Sequence, residues 1–200
     1  MGGKKKDKFR ITIGFACNAD GSERFEPIFI GRSKKPRCFR KQGPQERGFY
    51  YRNNKKAWMT TELFEEWGFC SHDIIAHLRS HRWLKKLDLH VRKQQRRICL
   101  FIDNFSAHSA VSYQPTNVRV EFFEPNMTSF VQPCDAGIIR CFKAIYRRNF
   151  CSRALDLDDA GEREIYKIDL LEAMTMAKKA WNAVTPETIE HCWNHSQIQP

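Results

Sequence analysis

The amino-acid sequence predicts an α/β domain of the α+β class, in which a β-hairpin and two later strands combine with helices. Apolar residues alternate with other residues between positions 9 and 17, which is typical of a half-buried strand. Two further apolar runs, RICLFIDN and NVRVEFF, have the length of buried strands. After residue 133 the apolar residues change to helical spacing. The resulting order of a hairpin, helices, two strands and further helices indicates an α+β fold.

The composition indicates one globular domain with a basic surface. The 200 residues are 42% hydrophobic and include 15 Phe, 5 Trp and 5 Tyr, which suits a single buried core. The formal net charge of +11 predicts attraction to polyanions such as nucleic acid. We expect no membrane partner, because no apolar run approaches the roughly 20 residues that span a bilayer. The start, MGGKKKDKFR, lacks the apolar core of a signal peptide, and eight scattered cysteines without a C-x-x-C pair favour reduced thiols in an intracellular protein.

The first elements predicted along the chain are a hairpin and a long loop. The strand at residues 9–17 pairs with a second strand, FEPIFIG, across turn residues 18–22. Residues 32–56 are basic and interrupted by Gly and Pro, which indicates an exposed loop.

Helices are predicted both before and after the two later strands. The first is short and is capped by Thr60 or Thr61. Apolar spacing predicts the others at residues 72–86, from Pro133 onward, at 163–184 and at 186–195. The acidic stretch at 156–164 is predicted to be a loop between helices.

Two carboxylates from distant parts of the sequence are predicted to meet at one end of the sheet. Asp103 follows a buried strand, and Asp135 begins a helix after Pro133. Carboxylate oxygens suit Mg²⁺ or Mn²⁺, and phosphoryl transfer often uses two ions roughly 4 Å apart. Spacing alone leaves two plainer explanations open. An Asp-Asn pair after a strand forms turns, and the helix dipole favours Asp in a first helical turn.

Several longer phrases make the sequence resemble a known family. NADGSERFEPIFIGRSKKPRCF, NKKAWMTTELFEEW and LFIDNFSAHS lie in the first 109 residues, and VRVEFFEPNMTSFVQPCDAGIIRCFKAIYRR and AWNAVTPETIEHCW follow. In order and over nearly the whole chain, these phrases resemble the DDE superfamily endonuclease domain of pogo, Tigger and jerky transposases and of centromere protein B-like proteins.

The resemblance implies an RNase H-like fold, with a mixed sheet flanked by helices, in a nuclear, metal-dependent DNA-processing protein. It also implies a triad of acidic residues that binds Mg²⁺ or Mn²⁺. The second and third members correspond to Asp103 and Asp135. Asn104, Ser106 and His108 follow the second member and are candidates for shaping the site or contacting substrate phosphate. Loop capping explains Asn104 and Ser106 equally well.

The sequence departs from the family at its beginning. The family's first Asp lies on a strand just upstream of the segment that begins here as GGKKKDKFRITI. Asp7 lies in a basic leader and Asp20 in a hairpin turn, so neither replaces it. We therefore expect residues 1–200 to be a single, N-terminally truncated domain without the first, central strand and without the family's helix-turn-helix modules. We expect this chain to bind DNA but to be catalytically incomplete, and a domesticated, non-catalytic DNA- or chromatin-binding module is the alternative.

Basic residues are the candidates for contact with nucleic-acid phosphates. An ordinary solvated basic surface is the alternative for any one of them. The candidates are Lys34, Lys35, Arg37, Lys55, Lys56, Arg147 and Arg148. Two His/Cys groups, one at residues 72–81 and one at 191–195, lack a fourth ligand at a recognisable spacing, so no zinc site is predicted.

Overall fold

The computed structural model describes residues 10–67, 83–103, 113–123 and 131–198. Within these ranges the strands are β1 (Thr12–Gly14), β2 (Ile28–Gly31), β3 (Tyr50–Asn53), β4 (Ile98–Ile102) and β5 (Val118–Phe122). The α-helices of the same ranges are α1 (Thr61–Trp67), α2 (Trp83–Lys93), α3 (Ile139–Asp159), α4 (Leu170–Asn182) and α5 (Pro186–Ser196). The α+β class predicted from the sequence is confirmed.

The strands form two small sheets. In the first sheet, whose order is β1-β2-β3, β1 runs antiparallel to β2 and β3 runs parallel to it, with Gly31 opposite Asn53. In the second sheet, β4 and β5 are parallel, with Ile102 opposite Phe122. The hairpin and the two later strands were therefore predicted correctly. The first strand is shorter than predicted, because β1 ends at Gly14 and an isolated bridge between Cys17 and Arg24 follows.

Helices cover both faces of strand β2, which is completely buried. Phe29 packs into one apolar cluster with Ile138 and Trp181 from the C-terminal half, whereas Ile28 and Ile30 point into the other. This second cluster also contains residues of α1, α2, β4 and β5. On the opposite face of β4, Phe101 lies 6.0 Å from Trp193 of α5, measured between ring centroids. Helical side chains therefore pack on both faces of β2 and on both faces of β4.

The predicted exposed loop at residues 32–56 is wrong in part, because it contains strand β3. Tyr50 and Tyr51 of this strand are 8% and 5% exposed. Backbone pairing with β2 places the two tyrosine side chains in the interior of the protein. The Tyr51 hydroxyl donates to the carbonyl of Ser33 at 2.8 Å. The apolar run of β3 is too short and too close to basic residues for periodicity to reveal it.

The predicted helix boundaries also need correction. Helix α2 continues to Lys93, past the predicted end at residue 86, while residues 72–82 lie outside the described part of the chain. Helix α3 continues to Asp159, so the acidic loop predicted from residue 156 is partly helical. Helix α4 begins at Leu170 rather than at 163, because the Asp169 side chain accepts the hydrogen bond from the amide of Glu172 and caps the helix there. Helix α5 agrees with its prediction, with Thr185 as the cap.

A buried carboxylate joins helix α2 to the start of β5. Asp88 is 2% exposed and accepts hydrogen bonds from the backbone amides of Thr116, Asn117 and Val118 at 3.0, 2.6 and 3.1 Å. The hydroxyls of Tyr113 and Thr116 donate to its other oxygen. Burial acts to raise the pKa of Asp88, but these hydrogen bonds outweigh it and hold the pKa below its ordinary value. The side chain thus stabilises the fold as a carboxylate.

The composition led to expectations about the oxidation state of the cysteines and about membrane-spanning segments. The described residues contain seven cysteines, each with a free thiol, in agreement with the reduced state that was predicted. Among the helices of the described ranges, none has both the length and the apolar character that crossing a bilayer requires.

Candidate functional site

Asp103 lies at the end of β4, on the wall of a cavity between the two sheets. The cavity has a volume of about 160 Å³ and is lined mainly by apolar side chains. Residues 15–17, which follow β1, form one side, and residues 100–103 of β4 form another. Gln132, Pro133 and Cys134 complete the wall near Asp103. The second candidate carboxylate belongs to Asp135, the residue that follows Cys134.

Asp135 is held on a π-helical turn, Cys134–Ile138, that leads into helix α3. Its amide donates to the carbonyl of Gln132 at 3.0 Å, which continues the chain from Pro133 into the turn. Gly137 lies against helix α5, where an added Cβ would be only 2.5 Å from the Sγ atom of Cys192. The glycine therefore allows the close packing that fixes the position of Asp135.

The carboxylates of Asp103 and Asp135 interact electrostatically. Partial burial raises the pKa of Asp135, the negative charge of Asp103 raises it further, and the ammonium group of Lys143 lowers it. The sheet end and the helix start thus place the two carboxylates within electrostatic range of each other. Such a pair binds a cation more readily than an isolated carboxylate does, because the cation relieves the repulsion.

We expect Asp135→Asn to raise the free energy of unfolding of the metal-free chain at pH 7 by about 0.5 kcal/mol, after allowance for solvent screening. A carboxyl group whose pKa is raised by folding costs stability when ionised, and this cost disappears as the pH falls below its ordinary pKa. Urea unfolding in EDTA at pH 7 and at pH 3 measures the difference.

The matched control for this prediction is Glu190→Gln, at an exposed position in the middle of helix α5. This control should leave the stability unchanged within error. An Asp135→Asn variant no more stable than the wild type at pH 7 contradicts the proposed repulsion.

The oxygen donors of Asp103 and Asp135 have the chemistry that Mg²⁺ and Mn²⁺ prefer, and so the pair fits part of a metal site. Within the described ranges, no group of three or more His, Cys, Asp or Glu side chains could hold a metal ion. The predicted site-shaping residues Asn104, Ser106 and His108 lie outside the described residues. Of the two His/Cys groups, residues 72–81 also lie outside them.

The predicted phosphate-binding residues are on two separate parts of the surface. Arg147 and Arg148 are exposed on helix α3. The others follow β2 and β3, two adjacent parallel strands whose ends meet where the amide of Asn54 donates to the carbonyl of Gly31 at 3.1 Å. We define this basic cluster as Arg32, Lys34, Lys35, Arg37, Lys55 and Lys56, all of which are exposed.

The turn at residues 54–58 carries an exposed aromatic side chain that sequence reasoning missed. The Asn54 side chain accepts hydrogen bonds from the amides of Lys56 and Trp58 at 3.1 and 3.2 Å and donates to the carbonyl of Trp58 at 2.6 Å. The Thr12 hydroxyl anchors the turn through the carbonyl of Ala57 at 2.8 Å. Trp58 is nevertheless 58% exposed. A Trp two residues after a pair of lysines is equally compatible with a core residue, which is why the sequence carried no signal for its exposure.

Comparison with known proteins shows one family over nearly all of the chain. The sequence model described as DDE superfamily endonuclease matches residues 8–70 and 75–193. Tigger transposable element-derived protein 4 of Mus musculus is 31% identical over 91% of this chain and 31% of its own length. ARS-binding protein 1 of Schizosaccharomyces pombe is 30% identical over 96% of this chain and 35% of its own length. Major centromere autoantigen B of Homo sapiens is 26% identical over 94% of this chain and 27% of its own length.

The chain thus spans about a third of the length of these curated relatives. No solved structure matches it.

Proposed function

Because the chain belongs to the DDE superfamily endonucleases, we propose that it is a nuclear DNA-binding domain derived from a DDE-type transposase. The observation that carries this proposal is the basic cluster, in which six cationic residues from two segments of the chain meet at the ends of β2 and β3. Lysine and arginine side chains in such an arrangement bind phosphates without reading base sequence. The names of two relatives, which refer to ARS binding and to the centromere, support a role on DNA in the nucleus.

We further propose that Asp103 and Asp135 hold a divalent cation, Mg²⁺ or Mn²⁺. A cation bound there supplies charge stabilisation at a DNA phosphodiester and lowers the pKa of a coordinated water. The fold fixes the positions of the two carboxylates that would supply oxygen ligands to the cation. Strand β4 places Asp103, the turn at residues 134–138 places Asp135, and Lys143 balances part of the charge of Asp135.

The two sheets are proposed to be parts of one RNase H-like mixed sheet. In the described ranges, strand β1 pairs through one of its two edges with β2, and strand β4 likewise pairs through one of its two edges with β5. Residues that follow β1 and residues of β4 line opposite parts of the same apolar cavity, and helices cover both sheets. The region between these two strand edges, beside the cavity, is therefore proposed as the position of the central strand that this family's fold requires. An open strand edge costs stability unless a partner covers it.

We propose that this chain by itself is catalytically incomplete, because within the described ranges the charge of Asp103 acts on Asp135 but no group of three or more carboxylate, His or Cys side chains could hold a metal ion. Incubation of the purified chain with supercoiled plasmid and 5 mM Mg²⁺ or Mn²⁺ tests this. Nicking that Asp103→Ala abolishes would overturn the proposal.

A domesticated, non-catalytic DNA- or chromatin-binding module is the second candidate. The basic cluster would be sufficient for such a module, because contacts between its lysines or arginines and phosphates need neither a carboxylate nor a metal ion. Binding that is the same in the wild type and in an Asp103→Asn/Asp135→Asn double variant, with or without Mg²⁺, supports this candidate. Binding that requires the carboxylates and the cation excludes it.

The DNA-binding proposal predicts that Lys55→Gln/Lys56→Gln weakens binding to a 20-base-pair duplex. The loss of two phosphate contacts should make the negative slope of log K against log salt concentration shallower by about 1.8. Fluorescence anisotropy between 50 and 200 mM KCl gives the slope.

The matched control is Lys85→Gln/Lys86→Gln, which removes the same charge from two adjacent exposed positions on helix α2. It should leave the slope nearly unchanged. Equal slopes for the two double variants, or a wild type whose binding does not depend on salt, would rule out the basic cluster as a DNA site.

A further inference from the structure

Trp58 is an apolar side chain that the fold holds in solvent. It is 58% exposed although the backbone around it is fixed by the three hydrogen bonds of the Asn54 side chain. The preceding residue, Ala57, is 2% exposed and has a positive φ of 54°. An L-residue adopts this backbone conformation at some cost. Packing of Ala57 into the protein therefore directs the turn so that the indole of the next residue lies outside.

The surroundings of Trp58 are cationic. Lys55 and Lys56 are exposed in the same turn, and Arg32, Lys34 and Lys35 follow the adjacent strand β2. No Asp or Glu occurs between residues 27 and 45 or between 47 and 61. Within the turn and the segment that follows β2, the charged groups near the indole in sequence are therefore cationic, and Glu62 of α1 is the first acidic residue after it.

We propose that Trp58 is a stacking platform for unpaired nucleobases, with Lys55 and Lys56 binding the phosphates on either side. The partner is single-stranded DNA or an unpaired stretch within a duplex. An exposed aromatic ring within a basic surface is the combination that holds single-stranded nucleic acid, because each base has a flat face and each nucleotide a negative charge. The proposal rests on the DNA-binding function proposed above and specifies the form of DNA that this surface selects.

The rigidity of the turn strengthens this assignment. An aromatic side chain on a fixed backbone has only two side-chain torsions to restrict, so little conformational entropy is lost when a base stacks on it. Thr12 and Asn54 supply this rigidity from strand β1 and from the turn itself.

The test compares binding of fluorescein-labelled dT20 and of a 20-base-pair duplex at 100 mM KCl. We expect Trp58→Ala to weaken dT20 binding about tenfold and to change duplex binding by less than about twofold. Trp58→Phe retains a ring and should recover most of the affinity for dT20. The intrinsic tryptophan fluorescence of the wild type should be quenched by dT20, and this quenching should be smaller in Trp58→Ala.

Tyr166→Ala is the matched control, because Tyr166 is 72% exposed but lies in a segment of mixed charge, where Lys167 forms an ion pair with Glu164. It should leave both affinities unchanged. Equal effects of Trp58→Ala and Tyr166→Ala, or equal losses of dT20 and duplex binding in Trp58→Ala, would overturn the stacking proposal while leaving DNA binding intact. A wild-type chain that binds neither oligonucleotide in a salt-dependent way overturns the proposed function itself.

Discussion

Replacement of Asp88 by Ala is expected to lower the free energy of unfolding by about 4 kcal/mol. The substitution removes the acceptor for the backbone amides of Thr116, Asn117 and Val118 and for two hydroxyl groups. Each buried donor left without a partner costs about 1–3 kcal/mol, partly recovered where water enters. Since small domains have a total stability of about 5–15 kcal/mol, the variant should be largely unfolded at 37 °C. Urea denaturation followed by circular dichroism measures the loss.

The pH dependence of the free energy of unfolding distinguishes the contribution of the Asp88 charge from that of the shape of its side chain. The folded state lowers the pKa of this carboxyl, so its contribution is present above the ordinary pKa and is lost as the pH falls through the folded pKa. Asp88→Asn keeps the shape and one acceptor oxygen. It should therefore cost less than Asp88→Ala at pH 7, and its disadvantage against the wild type should shrink in acid. A disadvantage that does not vary between pH 7 and pH 2 would contradict the role of the carboxylate.

Trp181→Ala is expected to cost a similar amount, about 4 kcal/mol, because it opens a large cavity in the C-terminal cluster. Trp181 is 2% exposed, its ring centroid lies 4.5 Å from that of Phe15, and its indole nitrogen donates to the carbonyl of Phe25 at 3.1 Å. Trp181→Phe preserves part of the packing but leaves that carbonyl without the indole donor, so it should cost less. Chemical denaturation at pH 7 ranks the variants.

Trp58→Ala is the matched control for Trp181→Ala, since it removes the same side chain from an exposed position. It should change the free energy of unfolding by no more than about 0.5 kcal/mol. If the two alanine variants are equally stable, the packing of helix α4 against the N-terminal hairpin is not as described.

Strongly periodic or well-capped elements were predictable from the sequence. The alternation at residues 9–17 marked the segment of β1, the turn residues 18–22 marked its pairing with β2, and Thr185-Pro186 marks the start of α5 by local chemistry. Strand β3 was missed because its burial comes from pairing with β2, a contact formed 22 residues away in sequence between Ile28 and Tyr50. The continuation of α3 to Asp159 was missed because the acidic composition of its last turn resembles a loop.

The two carboxylates could be placed because each follows a recognisable element boundary, and the electrostatic interaction between them agrees with that placement. Their role as metal ligands stays a prediction. Asp88 and Trp58 carried no signal, for opposite reasons. A single Asp in a helical segment looks like a surface residue, and a single Trp looks like a core residue. Only the tertiary contacts of Asp88 and the turn around Trp58 reverse these expectations.

The contact between the hairpin and helix α4 has a consequence for synthesis on the ribosome. Phe25 accepts its hydrogen bond from a residue 156 positions later, and Arg24 donates to the carbonyl of Trp181 across a similar interval. At about 5–20 residues per second, translation of that interval takes roughly 8–30 s. During this time the apolar face of the nascent hairpin, including Phe15 and Phe29, lacks the helices that cover it. The nascent chain therefore exposes an apolar β-hairpin to chaperones before the helices that complete its core have been synthesised.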